Sequence, residues 1–381
     1  MDFSWSEDQL ALRRSIVEFA QRELGDGILA DDRAGTLSRA KWRKCAEMGI
    51  HGLAVPEAYG GTGHDVLTTV LALEALGYGC PDAGLLFAIG AQMWAVQAPI
   101  LRFGSEAQRH QYLPKLLSGE IIGAHAITEP GSGSDTFAMT ATAEKRGDEY
   151  VLNGSKTFAT NAPVADLFLV FATTSPKRGF MGVTAFLVDK GTPGLTTGKA
   201  IDKMGIRTSP MGEVFLSDCV VPASARLGRE GNGGTIFTHS MGWERTCILA
   251  GAVGAMERQL ETCIAYAAQR EQFGKPIGKY QSVSNKIVQM KVRFETSRLL
   301  LYRAAWLRAN GQDATAEVAM AKLCISEAHV ASSLDAIQIH GGYGYATETG
   351  IERDLRDALG SRIYSGTSEI QHEIIARAIG L

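Results

Sequence analysis

The placement of proline constrains this 381-residue chain more than any other feature. Four prolines fall before residue 120, six lie between 130 and 222, and only Pro276 follows. Proline removes a backbone donor and breaks helix interiors, so the sequence divides into blocks at 1–118, 119–230 and 231–381. In the first block, apolar spacing predicts helices over 7–24 (capped by Ser6), 38–48, 66–78, 83–101 and 105–117. In the second, Asn153-Gly154 sits between two short apolar runs and signals a hairpin. Residues 167–172, 183–188 and 213–216 are further strand candidates, separated by Gly and Pro clusters, so the block reads as a small antiparallel β-domain. The last block reads as helices over 235–268, 280–310, 315–339, 351–359 and 367–379, with breaks at Gly311 and the Gly341-Gly342 run. The expected fold class is α+β: an N-terminal helical domain, a middle antiparallel β-domain and a C-terminal four-helix bundle.

Composition then excludes several classes. A net charge of −3 gives no overall field that favours nucleic acid or an anionic membrane. Six scattered cysteines, with no C-x-x-C and no histidine at metal-ligand spacing, read as reduced thiols in a cytoplasmic protein without a metal site. The N-terminus lacks a basic n-region, so it is not a signal or transit peptide. Residues 83–101 carry no charge, which is close to membrane-spanning length. Gln92, Gln97 and Pro99 make that segment a buried bundle helix instead. Neither Gly131-Ser-Gly133 nor Gly228–Gly234 completes G-x-G-x-x-G in a βαβ unit, so no Rossmann site is expected.

One charged residue stands out. Phe237, Met241, Ile248, Ala252, Met256, Leu260 and Cys263 form an apolar stripe on the 235–268 helix, and Glu244 lies on it. An unpaired charged carboxylate on an inward face costs several kcal/mol, roughly, and is kept where it is paired or has a job. Arg245 is the obvious partner, but residues one apart on a helix point about 100° apart. Glu244 is therefore a candidate general base whose pKa burial would raise.

Several segments together resemble the acyl-CoA dehydrogenase family. They are Thr128-Glu-Pro-Gly-Ser-Gly-Ser-Asp135, Lys156-Thr-Phe-Ala-Thr-Asn161, Asp202-Lys-Met-Gly-Ile-Arg207, Gln269-Arg-Glu-Gln-Phe-Gly-Lys275, Gln338-Ile-His-Gly-Gly342 and Tyr364-Ser-Gly-Thr-Ser368. They arrive in the family's order over the whole chain. The resemblance implies an acyl-CoA dehydrogenase fold with FAD held between the β-domain and the bundle. It implies that Ile127, Thr128 and Ser134 line the flavin ring, with Phe158 and Thr160 on its other side. Donors and a stacked aromatic suit a ring that must stabilise negative charge. It further implies that Arg270, Phe273 and Gln281, with Gln338 and Gly342 of a neighbouring subunit, hold the pyrophosphate and adenosine, and that Thr367 also contacts the cofactor. FAD shared between subunits implies an oligomer, a homotetramer built as a dimer of dimers.

Family members abstract the proton alpha to a thioester carbonyl while the beta hydride moves to flavin N5. Most carry the base between Tyr and Gly of the last motif, where this chain has Ser365. A minority, including isovaleryl-type enzymes, place it on the long helix, and Glu244 matches that position. Ser134, Arg245, Tyr364 and Ser365 are the implied substrate contacts. Met-Gly-Trp-Glu-Arg245, Met256-Glu-Arg-Gln-Leu260 and 365–377 look like the carrier-protein dehydrogenases of pyrrole-forming pathways. Those enzymes oxidise an L-prolyl thioester on a peptidyl carrier protein to the pyrrole-2-carboxyl thioester. Dehydrogenation of a short branched acyl-CoA or another carrier-bound acyl group is the alternative on the same fold. A flavin-binding protein that lost catalysis with Ser365 is the alternative of another class; nitroalkane oxidation or flavin monooxygenation is a minor one.

Overall fold

The computed structural model describes residues 4–381. Helices α1 (Glu7–Glu23), α2 (Ile28–Ala34), α3 (Arg39–Glu47), α4 (Val66–Gly79), α5 (Ala83–Gln92), α6 (Ala98–Phe103) and α7 (Glu106–Leu117) come first. Ser6 and Ser105 each form a reciprocal capping box with the glutamine three residues on. A π-helical turn, Met93–Gln97, joins α5 to α6. The resulting segment Ala83–Phe103 is the one described helix apolar and long enough to cross a membrane, yet 72% of its apolar window is buried inside the protein. It is a core helix. The short α2 escaped the sequence reading because it begins after left-handed Gly27 with no side-chain cap.

The middle of the chain forms one eight-stranded sheet in the order β6-β7-β3-β2-β4-β5-β8, with β1 added beside β4. The strands are β1 (Gly123–Ala126), β2 (Thr142–Arg146), β3 (Glu149–Thr160), β4 (Leu167–Thr173), β5 (Val183–Asp189), β6 (Leu195–Thr197), β7 (Met211–Pro222) and β8 (Arg226–Leu227). Pairing is antiparallel apart from β1 on β4 and a single β2–β4 contact. Asn153-Gly154 is not the hairpin turn that its sequence signals. It lies inside β3 at a register shift against β7, where Gly154 takes φ +139° and a Cβ would sit 2.6 Å from Ala141 Cβ. The chain reverses one strand earlier, at left-handed Gly147. Every residue of β4 is buried, because the Phe168 face packs within the sheet domain and the Leu167 face packs on α6, α7 and Ile236. Strands buried on both faces lose the alternation that marks a half-exposed sheet.

Helices α8 (Gly233–Cys247), α9 (Ala250–Gln269), α10 (Gln281–Ala309) and α11 (Thr315–His340) follow, then α12 (Gly342–Tyr345), α13 (Ile351–Gly360) and α14 (Ser368–Ala378). A two-residue hairpin, β9 (Glu271–Gln272) with β10 (Lys275–Pro276), links α9 to α10. The expected single helix over 235–268 is two helices. Ile248 and Leu249 form a flattened turn between them, Leu249 having φ −95° and ψ 4°. No proline or glycine marks this break. It lets α9 lie backbone to backbone on α4, where a Cβ on Gly77 would sit 2.0 Å from Gly251 O and one on Gly254 2.0 Å from Glu74 O. The N-terminal and C-terminal helices consequently share one hydrophobic core, from Ile16 and Trp42 to Met290 and Phe294.

This contact gives a stability test. Gly77→Ala forces a methyl into a carbonyl that cannot move without shifting α9. A loss of about 3 kcal/mol is expected, the upper range for overpacking, read as a lower denaturation midpoint at an unchanged slope.

Candidate active site

Glu244 sits on the inward face of α8 and is 8% exposed. The loop 361–367, between α13 and α14, brings Ser365 to it, and Ser365 Oγ donates to Glu244 Oε1 at 2.5 Å. Ser365 has φ +58° and Gly366 φ +91°, so the loop is held in the left-handed region that residues with a Cβ rarely adopt. Arg245 Nε donates to the Ser365 carbonyl at 2.9 Å. Glu244 and Arg245 form no ion pair; the two consecutive residues grip residue 365 by its hydroxyl and its backbone. The sequence singled out Ser365 as a missing carboxylate. Its hydroxyl is the partner of the carboxylate that is present.

Burial pushes the Glu244 carboxyl above the ordinary 4.5, and the Ser365 hydroxyl, Arg245 and Lys322 oppose that rise. Lys322, on α11, is fully buried and its Nζ has no hydrogen-bond partner. Burial first, and then the Arg245 charge, bring its ammonium down to about 8. Nothing in the sequence pattern marked this lysine, since it lies in an alanine-rich helical run.

A cavity of about 50 Å³ opens where Ile248, one turn beyond Glu244, meets Phe87 and Tyr364. The Phe87 and Tyr364 rings lie 4.3 Å apart, closing one side. Arg258, His329 and Asp357 line its other end. Burial raises Asp357 to about 7 and lowers His329 to about 4. Its Phe87, Ile248 and Tyr364 walls are apolar and suit a small apolar group.

The residues expected at a flavin ring fall at two strand ends. Chain leaving β1 carries Ile127 and Thr128, and Thr157 N donates to Thr128 O at 2.8 Å, tying them to the end of β3 with Phe158 and Thr160. Phe158 has φ +53° and its ring is 59% exposed. Ser134 lies on the exposed loop after Gly131. Beneath this group is a pair that the sequence reading missed. Lys156 Nζ meets Glu129 Oε1 at 2.8 Å with both side chains buried, and also donates to Ile127 O. Glu129 accepts from Thr140 N, Thr140 Oγ1 and Ala141 N. Both charges sit inside motifs quoted above, flanked by strand-like residues, which is the available signal. Thr367 Oγ1 caps α14 by accepting from Ile370 N.

A second group lies elsewhere. Arg270, Phe273 and Gln281 surround the β9–β10 hairpin, and Phe273 is 94% exposed at φ +51°. Gln338 and Gly342 lie beside them through Tyr266, whose ring stacks on His340 at 4.2 Å. An α9 of 20 residues separates this group from Glu244 by about 30 Å, so one chain does not bring the two together. The combined donor set suits a flavin dinucleotide: hydroxyls and an aromatic face in one group, a guanidinium in the other. Gly341 and Gly342 add bare backbone where a Cβ would meet nothing within 4 Å.

His125 packs its ring on Phe171 and Phe237. Burial, and then Lys156, lower it to about 3. It is a neutral wall of the region rather than a proton carrier at neutral pH.

An inward carboxylate one turn from a small cavity, in an α+β scaffold with exposed strand ends, is compatible with proton abstraction from a small substrate. The acyl-CoA dehydrogenase N-terminal, middle and C-terminal domains match residues 6–120, 124–219 and 231–380. The chain belongs to the acyl-CoA dehydrogenase family, a family of FAD-dependent oxidoreductases. It is 45% identical over 382 residues to an L-prolyl-[peptidyl-carrier protein] dehydrogenase of Pseudomonas fluorescens, with all of both chains covered. The crystal structure of the prolyl acyl carrier protein oxidase AnaB superposes with a TM-score of 0.98 at 50% identity, covering 99% of this chain and 100% of that one. The structure of PigA with FAD and proline superposes with a TM-score of 0.98 at 46% identity over the full length of both.

Proposed function

We propose that this enzyme uses FAD to oxidise an L-prolyl thioester on a peptidyl carrier protein to the pyrrole-2-carboxyl thioester, with Glu244 as general base. The observation that carries the reading is the buried Glu244 carboxylate, held by Ser365 and one helical turn from Ile248 in the wall of the small cavity. FAD when bound would supply a two-electron acceptor, so reaching the pyrrole takes two successive two-electron oxidations, with the flavin reoxidised by an external acceptor between them. Ile127, Thr128, Ser134, Phe158, Thr160 and Thr367 would hold its ring. Arg270, Phe273 and Gln281, with Gln338 and Gly342 of a second copy, would hold the dinucleotide end. The working form is accordingly an oligomer, and we infer a homotetramer. Glu244 takes the alpha proton of the thioester, acidified by the carbonyl. Burial makes it a stronger base than an exposed carboxylate. Tyr364 and Phe87 wall the pocket, and Arg245 fixes the loop that carries Ser365.

Anaerobic flavin bleaching separates the substrates. L-prolyl-loaded carrier protein is expected to bleach the enzyme and isovaleryl-CoA is not. Faster bleaching by isovaleryl-CoA overturns the prolyl reading and favours the branched acyl-CoA alternative.

Ser365 gives a pH test. Its hydroxyl opposes the upward push of burial on Glu244, so removing it raises the base's pKa further. The base works deprotonated, and kcat/KM therefore rises as pH passes that pKa. Ser365→Gly suits the positive φ and removes only the donor. The acid limb of its kcat/KM profile is expected at higher pH than in the wild type, with the alkaline plateau little changed. An unmoved limb would remove Ser365 from the base's environment.

A further inference from the structure

We propose that the exposed loop 176–182, between β4 and β5, is where the carrier protein docks. Lys177 and Arg178, with Arg229 beside them, meet acidic side chains of the carrier, and its phosphopantetheine arm runs inward along α8. The inference rests on the carrier-bound substrate proposed above.

Charge is the first observation. Lys177, Arg178 and Arg229 are exposed, and none of them forms an ion pair among the described residues. Glu230, the acid next to Arg229, is turned toward β3, where it accepts from the Tyr150 hydroxyl at 2.6 Å. Arg229 lies two residues before Gly231, whose Cβ would come within 2.7 Å of Met181 O, so the three cations stand on adjoining segments of a chain whose net charge is −3. A local field of that sign steers an acidic partner and orients it before contact.

The same loop offers an apolar anchor. Phe180 and Met181 are 41% and 53% exposed. The loop is closed at its base, where Thr174 N and Ser175 N both donate to Gly182 O, so the anchor is presented on an ordered element. Exposed aromatic or Met side chains ringed by charge are the composition of a recognition patch.

Position completes the argument. The Phe180 ring lies against the first turn of α8, where a Cβ on Gly234 would come within 2.6 Å of it. Phe180 packs on Phe137 at 4.8 Å, and Phe137 on Phe237 at 5.8 Å. Phe237 begins the stripe that continues through Met241 to Glu244. From Gly234 to Glu244 is about 15 Å along the helix axis. An aminoacyl thioester alone cannot span that distance, and a phosphopantetheine arm held at the loop can. The loop and the aromatic contacts meet the helix that carries the base.

The test uses the FAD-loaded full chain and two substrates, L-prolyl carrier protein and L-prolyl-pantetheine. Lys177→Glu/Arg178→Glu and Arg229→Glu are expected to lower kcat/KM for the carrier substrate roughly tenfold or more, as lost steering does. Bleaching by prolyl-pantetheine should stay near wild type, and the wild-type loss of carrier reactivity with salt should flatten in the variants. Equal losses on both substrates, no loss on the carrier, or a changed oligomeric state would each overturn the docking surface. A wild-type enzyme that bleaches with neither substrate overturns the prolyl reading, and the docking surface with it. That failure is visible before any variant is made.

Discussion

Glu244→Gln is expected to lower the rate of flavin reduction by the prolyl substrate about 10³-fold, within the usual contribution of a positioned general base. The substitution is close to isosteric. The Ser365 hydroxyl can still donate to the amide oxygen that replaces Glu244 Oε1, and no buried anion is left unpaired. Burial is what raises this carboxyl, so its removal takes away a desolvated charge rather than a structural ion pair. Flavin content and unfolding midpoint should therefore stay near wild type while the rate collapses. Fold and base are separated by that contrast. Glu244→Asp keeps the charge but withdraws it by one methylene from the alpha carbon, and an intermediate rate is expected. Stopped-flow bleaching with protiated and alpha-deuterated substrate measures both. A Gln variant that keeps its rate within tenfold would mean that another group takes the proton, and the inactive flavin-binder alternative would stay excluded only by that residual turnover.

Much of this was legible in the residues because the signals were local. Ser6, Ser38, Ser105 and Thr367 each cap the helix that the sequence starts beside them, since a cap needs only a short side chain and nearby N–H groups. Glu244 was visible because a helix face is computable from spacing alone. What stayed hidden depends on contacts made far along the chain. The turn at Ile248 and Leu249 comes from two glycines of α9 meeting α4, more than 170 residues earlier in sequence. The Asn153-Gly154 signal failed because Ala141, not a reversal, demands the glycine. The Ser365–Glu244 bond joins residues 121 apart, and no periodicity links them. Lys322 is the extreme case, a buried cation in a helix whose apolar pattern is continuous around it.

Glu129→Leu carries the largest expected effect on stability. Lys156 is fully buried and donates to Glu129 Oε1 at 2.8 Å. Burial alone would push the Glu129 carboxyl up. The Lys156 ammonium and the donors of Thr140 and Ala141 outweigh it and hold the carboxyl below the ordinary 4.5. A carboxyl with a depressed pKa stabilises the fold above its unfolded pKa, and that contribution is lost as pH falls through its folded pKa. Leucine removes the anion and leaves a buried ammonium with only the Ile127 carbonyl, at 3.2 Å, as an oxygen partner. A loss of about 3–5 kcal/mol is expected, measured by denaturant unfolding at neutral pH. The double variant Glu129→Leu/Lys156→Met should recover a large part of it, because two apolar groups replace a pair instead of stranding one charge. Recovery will stop short of the wild type, since the Thr140 and Ala141 N–H groups lose their acceptor. The pair also fastens Ile127 to β3, so the single variant should bind FAD more weakly than its stability loss alone requires. A Glu129→Leu protein as stable as the wild type would show that Lys156 sheds its proton or reaches water, and the platform under Phe158 would then be held by backbone pairing alone.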